Sequence, residues 1–249
     1  MLFPSFFNAG KPTYEIEQSL RFDGSAQLRW TPSSAGNLRT FTRSAWFKRA
    51  SKLDGYNIFA SGINMTPDSG HTSQIYLSVG SSPESLSWKT TADWRDVSAW
   101  YHVVFQFDTT QATADDRAKL YINGVRVTDF WQKNSTPAQN YQSNTVNAAT
   151  AQYIGGGYSN WYFDGYQAEH IFVDGQALEP EDFGEFDNNG VWRPIKDTGT
   201  FGSNGYYLKF DPTATNGIGH DHSGNGNNWT ASGFTTSGTG TDVMSDTPT

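Results

Sequence analysis

The chain of 249 residues carries 25 Asp and Glu against 17 Lys and Arg, and this net charge of −8 argues against the basic face that nucleic acid or an anionic membrane requires. It has no cysteine, which removes disulfides, thiolate metal sites and a cysteine nucleophile, and no apolar run approaches the roughly 20 residues of a membrane-spanning helix. Gly (25), Trp (9), Tyr (12) and Phe (17) are abundant while only 17% of residues are charged, which suits pleated strands joined by tight turns. One large all-β sandwich or barrel accommodates this length and buries roughly 70–75% of its unfolded surface without a staple.

Residues 1–17 have no clean period. Phe3, Phe6 and Phe7 give this stretch the look of an extended aromatic arm, read either as packed on its own domain or as a docking peptide for another subunit. Pro4 and the lack of a preceding positive charge speak against a secretory leader, so the expectation is a chain made in the cytoplasm without membrane insertion. Strand-like segments follow at 18–23, 26–30, 40–48, 56–61, 73–79, 85–89, 99–107, 117–122, 125–130, 150–155, 162–173 and 206–210. In the seventh, Tyr101, Val103, Phe105 and Phe107 share one face. In the eighth, Ala118, Leu120 and Ile122 alternate with more polar neighbours, and Asn123-Gly124 supplies the two positive-φ residues of a type I′ hairpin before Val125 and Val127 return. Clusters such as Pro32-Ser-Ser-Ala-Gly36 and Gly155-Gly-Gly157 punctuate the strands. One short helix is expected near 179–186, where Pro180, Glu181 and Asp182 suit a first helical turn. The Ser/Thr/Gly-rich stretch 232–249 reads as a tail, so the expected organisation is an arm at 1–17, a domain at 18–231 and a tail at 232–249.

Ser19-Leu-Arg-Phe-Asp-Gly24, Phe41-Thr-Arg-Ser-Ala-Trp-Phe-Lys48, Trp100-Tyr-His-Val-Val104, Leu120-Tyr-Ile-Asn-Gly124 and Phe163-Asp-Gly-Tyr-Gln-Ala-Glu169 occur in an order that resembles laminin-G-like, concanavalin A-like jelly-roll domains. Asp108-Thr-Thr-Gln-Ala-Thr-Ala114, Val173-Asp-Gly-Gln-Ala-Leu178, Phe183-Gly-Glu-Phe186 and Asp221-His-Ser-Gly-Asn-Gly-Asn-Asn-Trp229 resemble the versions found in tail-fibre and other virion proteins of tailed bacteriophages. The resemblance covers roughly residues 15–231 and implies an antiparallel β-sandwich. In common laminin-G-like domains a segment like Tyr207…Asn225 precedes the first strand, whereas here it comes last. That order resembles either a permuted sandwich closed by 206–231 or the start of a further module, and a strand at 206–210 needing a partner favours closure.

The fold alone leaves the chemistry open. The related glycanases carry Glu-x-Asp-x-x-Glu or Glu-x-Asp-x-Glu on one strand, which Glu179-Pro-Glu-Asp-Phe-Gly-Glu185 fails to match. Asp164 and Glu169 stand an odd number apart and so point to opposite faces of a regular strand. No nucleophile elbow, phosphate loop or His-Glu-x-x-His is present, and His220-Asp-His222 lacks a third neutral ligand. Asp221, Ser223 and Asn225, followed by Gly226, match positions 1, 3, 5 and 6 of an oxygen-ligand calcium loop, although Ser232 stands where a bidentate Glu belongs. An ordinary Asx-type turn explains the same residues. For glycans, Trp88, Trp94, Trp131, Tyr158 and Trp161 are possible stacking platforms, with Asn160, Asp164 and Gln167 as polar neighbours of the last pair. Arg43, Gln167 and His170 stand where the resemblance implies apolar residues, marking a local polar site or an interface.

The reading that follows is an antiparallel jelly roll without catalytic machinery, possessing no certain cofactor beyond an optional calcium. Tyr158, Asn160, Trp161 and Asp164 are the expected glycan site, Asp221, Ser223 and Asn225 the expected calcium site, and Phe3, Phe6 and Phe7 the expected anchor. The resemblance implies a virion component that binds host surface glycans and other virion proteins and works as a homo-oligomer. The alternatives are a purely structural decoration subunit and, further off, a glycan depolymerase.

Overall fold

The computed structural model describes residues 14–50, 56–59, 62–68, 71–80, 82–83, 85–157, 161–196 and 199–248. Phe3, Phe6, Phe7, Tyr158 and Asn160 lie outside the described residues. The strands in chain order are β1 Ser19–Asp23, β2 Gln27–Trp30, β3 Thr40–Arg49, β4 Tyr56–Phe59, β5 Ile63–Asp68 and β6 His71–Val79. Then come β7 Leu86–Thr90, β8 Tyr101–Asp108, β9 Ala118–Ile122, β10 Val125–Val127, β11 Phe130–Ser135 and β12 Gln152–Ile154. The last are β13 Asp164–Asp174, β14 Gly184–Phe186, β15 Trp192–Pro194, β16 Tyr206–Leu208, β17 Thr230–Ser232 and β18 Val243–Met244.

Two eight-stranded antiparallel sheets face one another. The first runs β10-β9-β8-β3-β13-β1-β18 with β16 also paired to β13; the second runs β11-β7-β6-β5-β4-β12-β2-β17. The core lies between them because each strand alternates. Phe41, Ala45 and Phe47 of β3, Val103, Phe105 and Phe107 of β8, and Leu120 of β9 meet Leu28, Ile63, Ile75, Leu77, Leu86, Trp88 and Ile154 of the second sheet in one buried cluster. Phe41 stacks on Phe107 with ring centroids 4.8 Å apart. The outer face of the first sheet is itself covered in its middle, where Tyr14 and Ile16 pack with Trp46, Ala168 and Trp192. The β9–β10 hairpin turns at Asn123 (φ 49) and Gly124 (φ 76), as the Asn-Gly pair predicts.

Several expectations are corrected. The short helix is a three-residue 3-10 turn, Pro180–Asp182, followed at once by β14. The turn is closed by Asp182 N–H to the Glu179 carbonyl and Phe183 N–H to the Pro180 carbonyl, the Asp182 carboxylate accepts the Glu179 N–H, and the Glu179 carboxylate accepts from Gln106 Nε2 and the Tyr121 hydroxyl; the strand that begins at Gly184 stops any longer helix. Residues 232–248 do not form a free tail. β18 pairs with β1, Phe234 packs edge-on against Phe22, and Asp246 receives bonds from Lys48 and Trp100. A few apolar contacts and an open strand edge suffice to hold a segment whose composition reads as a linker. β16 in one sheet and β17 in the other make 206–232 a clasp across the sandwich.

β13 carries a bulge between Ala168 and Ile171, with Glu169 at φ 45. The extra residue resets the alternation, so His170 points inward while Glu169 points outward to Tyr14 and Tyr207. Asp164 and Glu169 therefore share the outer face, contrary to the parity expected of a regular strand. Five residues of strand still separate them by about 16 Å, beyond the roughly 5–9.5 Å of a glycosidase acid pair.

Candidate functional site

The outward positions of the second sheet collect the residue types that hold sugars. In β7, Leu86, Trp88 and Thr90 are buried, which leaves Ser87 and Lys89 facing out. Tyr76 of β6 stands directly across from Lys89, and Ser78 from Ser87. β11 reaches the same face by a bulge. Phe130 pairs with Thr90 and Gln132 with Lys89, so Trp131 is the extra residue, and its side chain is 43% exposed.

These side chains brace one another. Trp131 Nε1 donates to Gln74 Oε1 at 3.0 Å, and the Tyr76 and Ser87 hydroxyls are 3.2 Å apart. Lys89 Nζ lies 5.7 Å from the Tyr76 ring centroid and 5.9 Å from that of Trp131, within reach of both π faces. Asn64 of β5 lies across from Tyr76 on the same face. Further along, β12 and β2 place Tyr153 opposite Arg29, whose guanidinium carbon is 6.0 Å from the Tyr153 centroid. Gly157 (φ 110) lays its backbone on that ring, and a Cβ there would come within 2.3 Å of it. Rings, hydroxyls, amides and two cations thus share one sheet face. This arrangement can stack the apolar face of a pyranose and bind its hydroxyls.

The platforms expected from sequence divide on burial. Trp88 is 2% exposed in the core, where Nε1 donates to Thr136, and so cannot meet a ligand. Trp94 packs partly buried against the core. Trp131 is in place. Trp161 is 47% exposed beside the start of β13, and Asp164 pairs with Asp23 at that strand's first position. Gln167, expected as a polar neighbour, is fully buried and faces the core. Tyr76 and Lys89, absent from the sequence expectation, are found only through cross-strand register.

Asp221 is 4% exposed and its carboxylate is occupied by its own chain. Oδ1 accepts the N–H of Tyr207 and of Ser223, and Oδ2 accepts the Ser223 hydroxyl and the Asn227 N–H. Asn225 turns its amide nitrogen to the Gly202 and Gly205 carbonyls. The lone pairs calcium would need are taken by these donors, and the loop has the geometry of a structural knot. Among the described residues, no group of three His, Cys, Asp or Glu is arranged to hold a metal.

Two buried constellations on the first sheet deserve chemical reading. Trp192 Nε1 donates to His102 Nδ1 at 3.0 Å, so the ring proton sits on Nε2 and is given to Ser44 Oγ at 2.8 Å. A histidine that donates to the serine cannot take its proton, and burial holds this imidazole down to about 3, so it stays neutral. The Glu169 carboxylate accepts from both Tyr14 and Tyr207, and burial followed by that carboxylate pushes both phenols far up. Within the core, Arg43 and His170 flank Phe59 with 5.0 and 4.4 Å separations, and Arg43 donates to Gln152 at 3.3 Å. Burial, then the Arg43 charge, drives His170 well below its ordinary range. These departures from an apolar pattern are core residues, not a surface site.

Comparison with known proteins places this geometry. The family model Laminin_G_3, of the concanavalin A-like lectin/glucanases superfamily, matches residues 22–182. Among solved structures, a Bacteroides ovatus protein named as a candidate carbohydrate-binding protein aligns with TM-score 0.63 and 16% identity over 94% of this chain and 62% of its own. A heptameric SAP-like pentraxin from Limulus polyphemus gives TM-score 0.47 at 18% identity, covering 66% of this chain and 79% of that one. Domain 4 of the arabinanase AbnA from Geobacillus stearothermophilus gives 0.45 at 18% identity, covering 65% and 72%. No curated protein matches. With more than half its length matched and both sheets formed, the chain belongs to the Laminin_G_3 family of concanavalin A-like domains.

Proposed function

We propose that this protein is a lectin-like, non-catalytic glycan-binding module and that the outer face of the second sheet is its binding surface. The observation that carries this reading is the platform of Trp131, Tyr76 and Lys89, built by three strands and braced by Gln74 and Ser87. Nothing in the core requires an aromatic at the bulged position of β11, whose ring is left 43% exposed. The carbohydrate role attached to the Bacteroides ovatus structure is consistent with it. In the finer form of the proposal, the chain is a phage virion appendage that attaches to host surface glycans, with modest single-site affinity raised by multivalent display.

The test is binding of the purified chain to bacterial surface polysaccharide, alone and with Trp131→Ala. Saturable binding weakened about tenfold or more by the substitution, roughly 1.4 kcal/mol, is the expected result. Unchanged binding in the variant would remove the platform from the account.

A specific observation favours a second reading, a structural subunit that binds other virion proteins. A groove of about 600 Å³ on the outer face of the first sheet is lined by Trp46, Trp100, Val125, Phe186, Val191 and Trp192. Val125, Phe186 and Val191 are 60, 52 and 45% exposed there, an apolar patch of the kind that partners cover. The two readings use opposite faces of the sandwich and are separable by substitution.

A further inference from the structure

Five Asn-Gly steps occur in the chain: Asn123-Gly124, Asn189-Gly190, Asn204-Gly205, Asn216-Gly217 and Asn225-Gly226. Such a step can react with itself. The glycine amide nitrogen attacks the asparagine Cγ, and the absence of a Cβ on the glycine leaves room for the five-membered ring that forms. In a folded chain the reaction requires that the carboxamide and the glycine nitrogen be free to approach each other.

Four of the five carboxamides are tied. Asn123 Oδ1 accepts the His102 N–H at 2.7 Å, and Gly124 is packed under the Trp192 ring. Asn204 is buried, and its Nδ2 donates to the Ser34 carbonyl and to Asn147 Oδ1, each at 2.9 Å. Asn225 Nδ2 donates to the Gly202 and Gly205 carbonyls, and Asn216 Nδ2 lies 3.2 Å from His220 Nδ1. Among the described residues, Asn189 is the one member of the set whose side-chain amide makes no hydrogen bond. It stands exposed in the loop 187–191 between β14 and β15, and a Cβ on Gly190 would meet nothing within 4 Å.

We propose that Asn189 is a site of spontaneous deamidation that remodels the β14–β15 hairpin. A bond forms from the Gly190 nitrogen to Asn189 Cγ, the Cγ–Nδ2 bond breaks, and ammonia leaves with the proton given up by the glycine nitrogen. Water then opens the succinimide at either carbonyl, leaving aspartate or isoaspartate. Water enters, ammonia departs, and no oxidant or reductant takes part. The turn must first open, because the Gly190 N–H donates to the Asp187 carbonyl at 2.9 Å. Asn216 faces the same cost, since the Gly217 N–H donates to the Ala214 carbonyl at 2.8 Å. The contact with His220 therefore decides between them, and one hydrogen bond of ordinary net strength slows Asn216 about two- to tenfold.

The product changes the groove of the first sheet. The hairpin carries Phe186 and Val191, both exposed, and Trp192 to that groove. Its loop is held by Asp187, whose carboxylate accepts the N–H of Asn189 and of Val191 and the Nε of Arg193. Isoaspartate lengthens the backbone inside this small loop, and either product sets a new carboxylate close to that of Asp187. The groove of an aged chain thus has a looser and more acidic rim than that of a newly made one. This inference does not depend on the glycan-binding reading.

The test incubates the full chain at mildly alkaline pH, folded and in urea, and follows all five sites by peptide mapping in a mass spectrometer. Isoaspartate is counted with an isoaspartyl methyltransferase. In the folded chain Asn189 is expected to convert first, about twofold or more ahead of Asn216 and further ahead of the other three, whereas in urea the five converge. Asn189→Gln should remove the first wave of ammonia release. Any of the other four sites converting as fast as Asn189 in the folded chain would overturn the assignment, as would an intact Asn189 after the unfolded chain has reacted. The modified form, separated by ion exchange, should show shifted indole N–H resonances for Trp192 and Trp100 and an unshifted one for Trp88. Identical spectra for the two forms would overturn the remodelling of the groove.

Discussion

Acidification should destabilise the fold through His102 in particular. This imidazole is 1% exposed, held between Trp192 Nε1 and Ser44 Oγ, and stacked 4.6 Å from Trp46. Burial lowers it from 6.5 to about 3. Because the unfolded chain takes up a proton that the folded one refuses, the stabilisation is complete above pH 6.5 and drains away as the pH falls from 6.5 toward 3. Between pH 7.5 and 4.5 the loss is two pH units' worth, about 2.7 kcal/mol at 1.36 kcal/mol per unit. For a chain of this length that is a fall in Tm of about 5–10 °C from this residue alone. His170 acts in the same direction, so the wild-type change alone does not isolate His102. The assay is urea unfolding of wild type and His102→Gln at both pH values. The variant is weaker at pH 7.5, where Trp192 or Ser44 loses a partner, but its further loss on acidification should be about 2.7 kcal/mol smaller. Equal pH dependence in the two proteins would refute the assignment of a neutral, proton-refusing imidazole.

Other outcomes follow from single contacts. Gly124→Ala should cost about 2–4 kcal/mol in unfolding free energy, because φ is +76 and a Cβ there falls 2.4 Å from the Trp192 ring. Asp221→Ala strips four donors of their acceptor at a buried site and should cost about 3 kcal/mol or more, whereas chelator should leave the wild-type Tm unchanged because those donors already occupy the carboxylate. Trp131→Ala should leave Tm within about 2 °C of wild type, since its ring is outside the core, and lose polysaccharide binding. Differential scanning calorimetry separates these cases.

The strands that the sequence makes legible are those with a buried and an exposed face in strict alternation. Val103, Phe105 and Phe107 of β8 and the Asn123-Gly124 hairpin are of that kind; β8 and β9 agree with expectation within two residues, while β10 ends at Val127, three residues before the expected end. Elements escape where local chemistry points elsewhere. β5 contains Pro67 and ends in Asp68, which read as a turn; the proline is tolerated because the register breaks just there. β17 and β18 are three and two residues of ordinary loop composition, defined only by the strands they pair with. The bulge at Glu169 is invisible to a parity argument, since nothing in Gln167-Ala-Glu-His170 marks where the extra residue falls. The binding face is partly legible for the same reason. Trp131 stands out as an aromatic beside turns, but Tyr76 and Lys89 look like ordinary outward residues until register brings all three together.

The central claim, that ligand lies on the outer face of the second sheet, is tested most directly by the indole N–H resonances of the nine tryptophans during titration with an oligosaccharide cut from bacterial surface polysaccharide. The account predicts that Trp131 Nε1–H, which donates to Gln74, shifts with ligand while Trp46, Trp88 and Trp192 hold still. Shifts at Trp100 and Trp192 with Trp131 unmoved would place the ligand in the groove of the first sheet and contradict it.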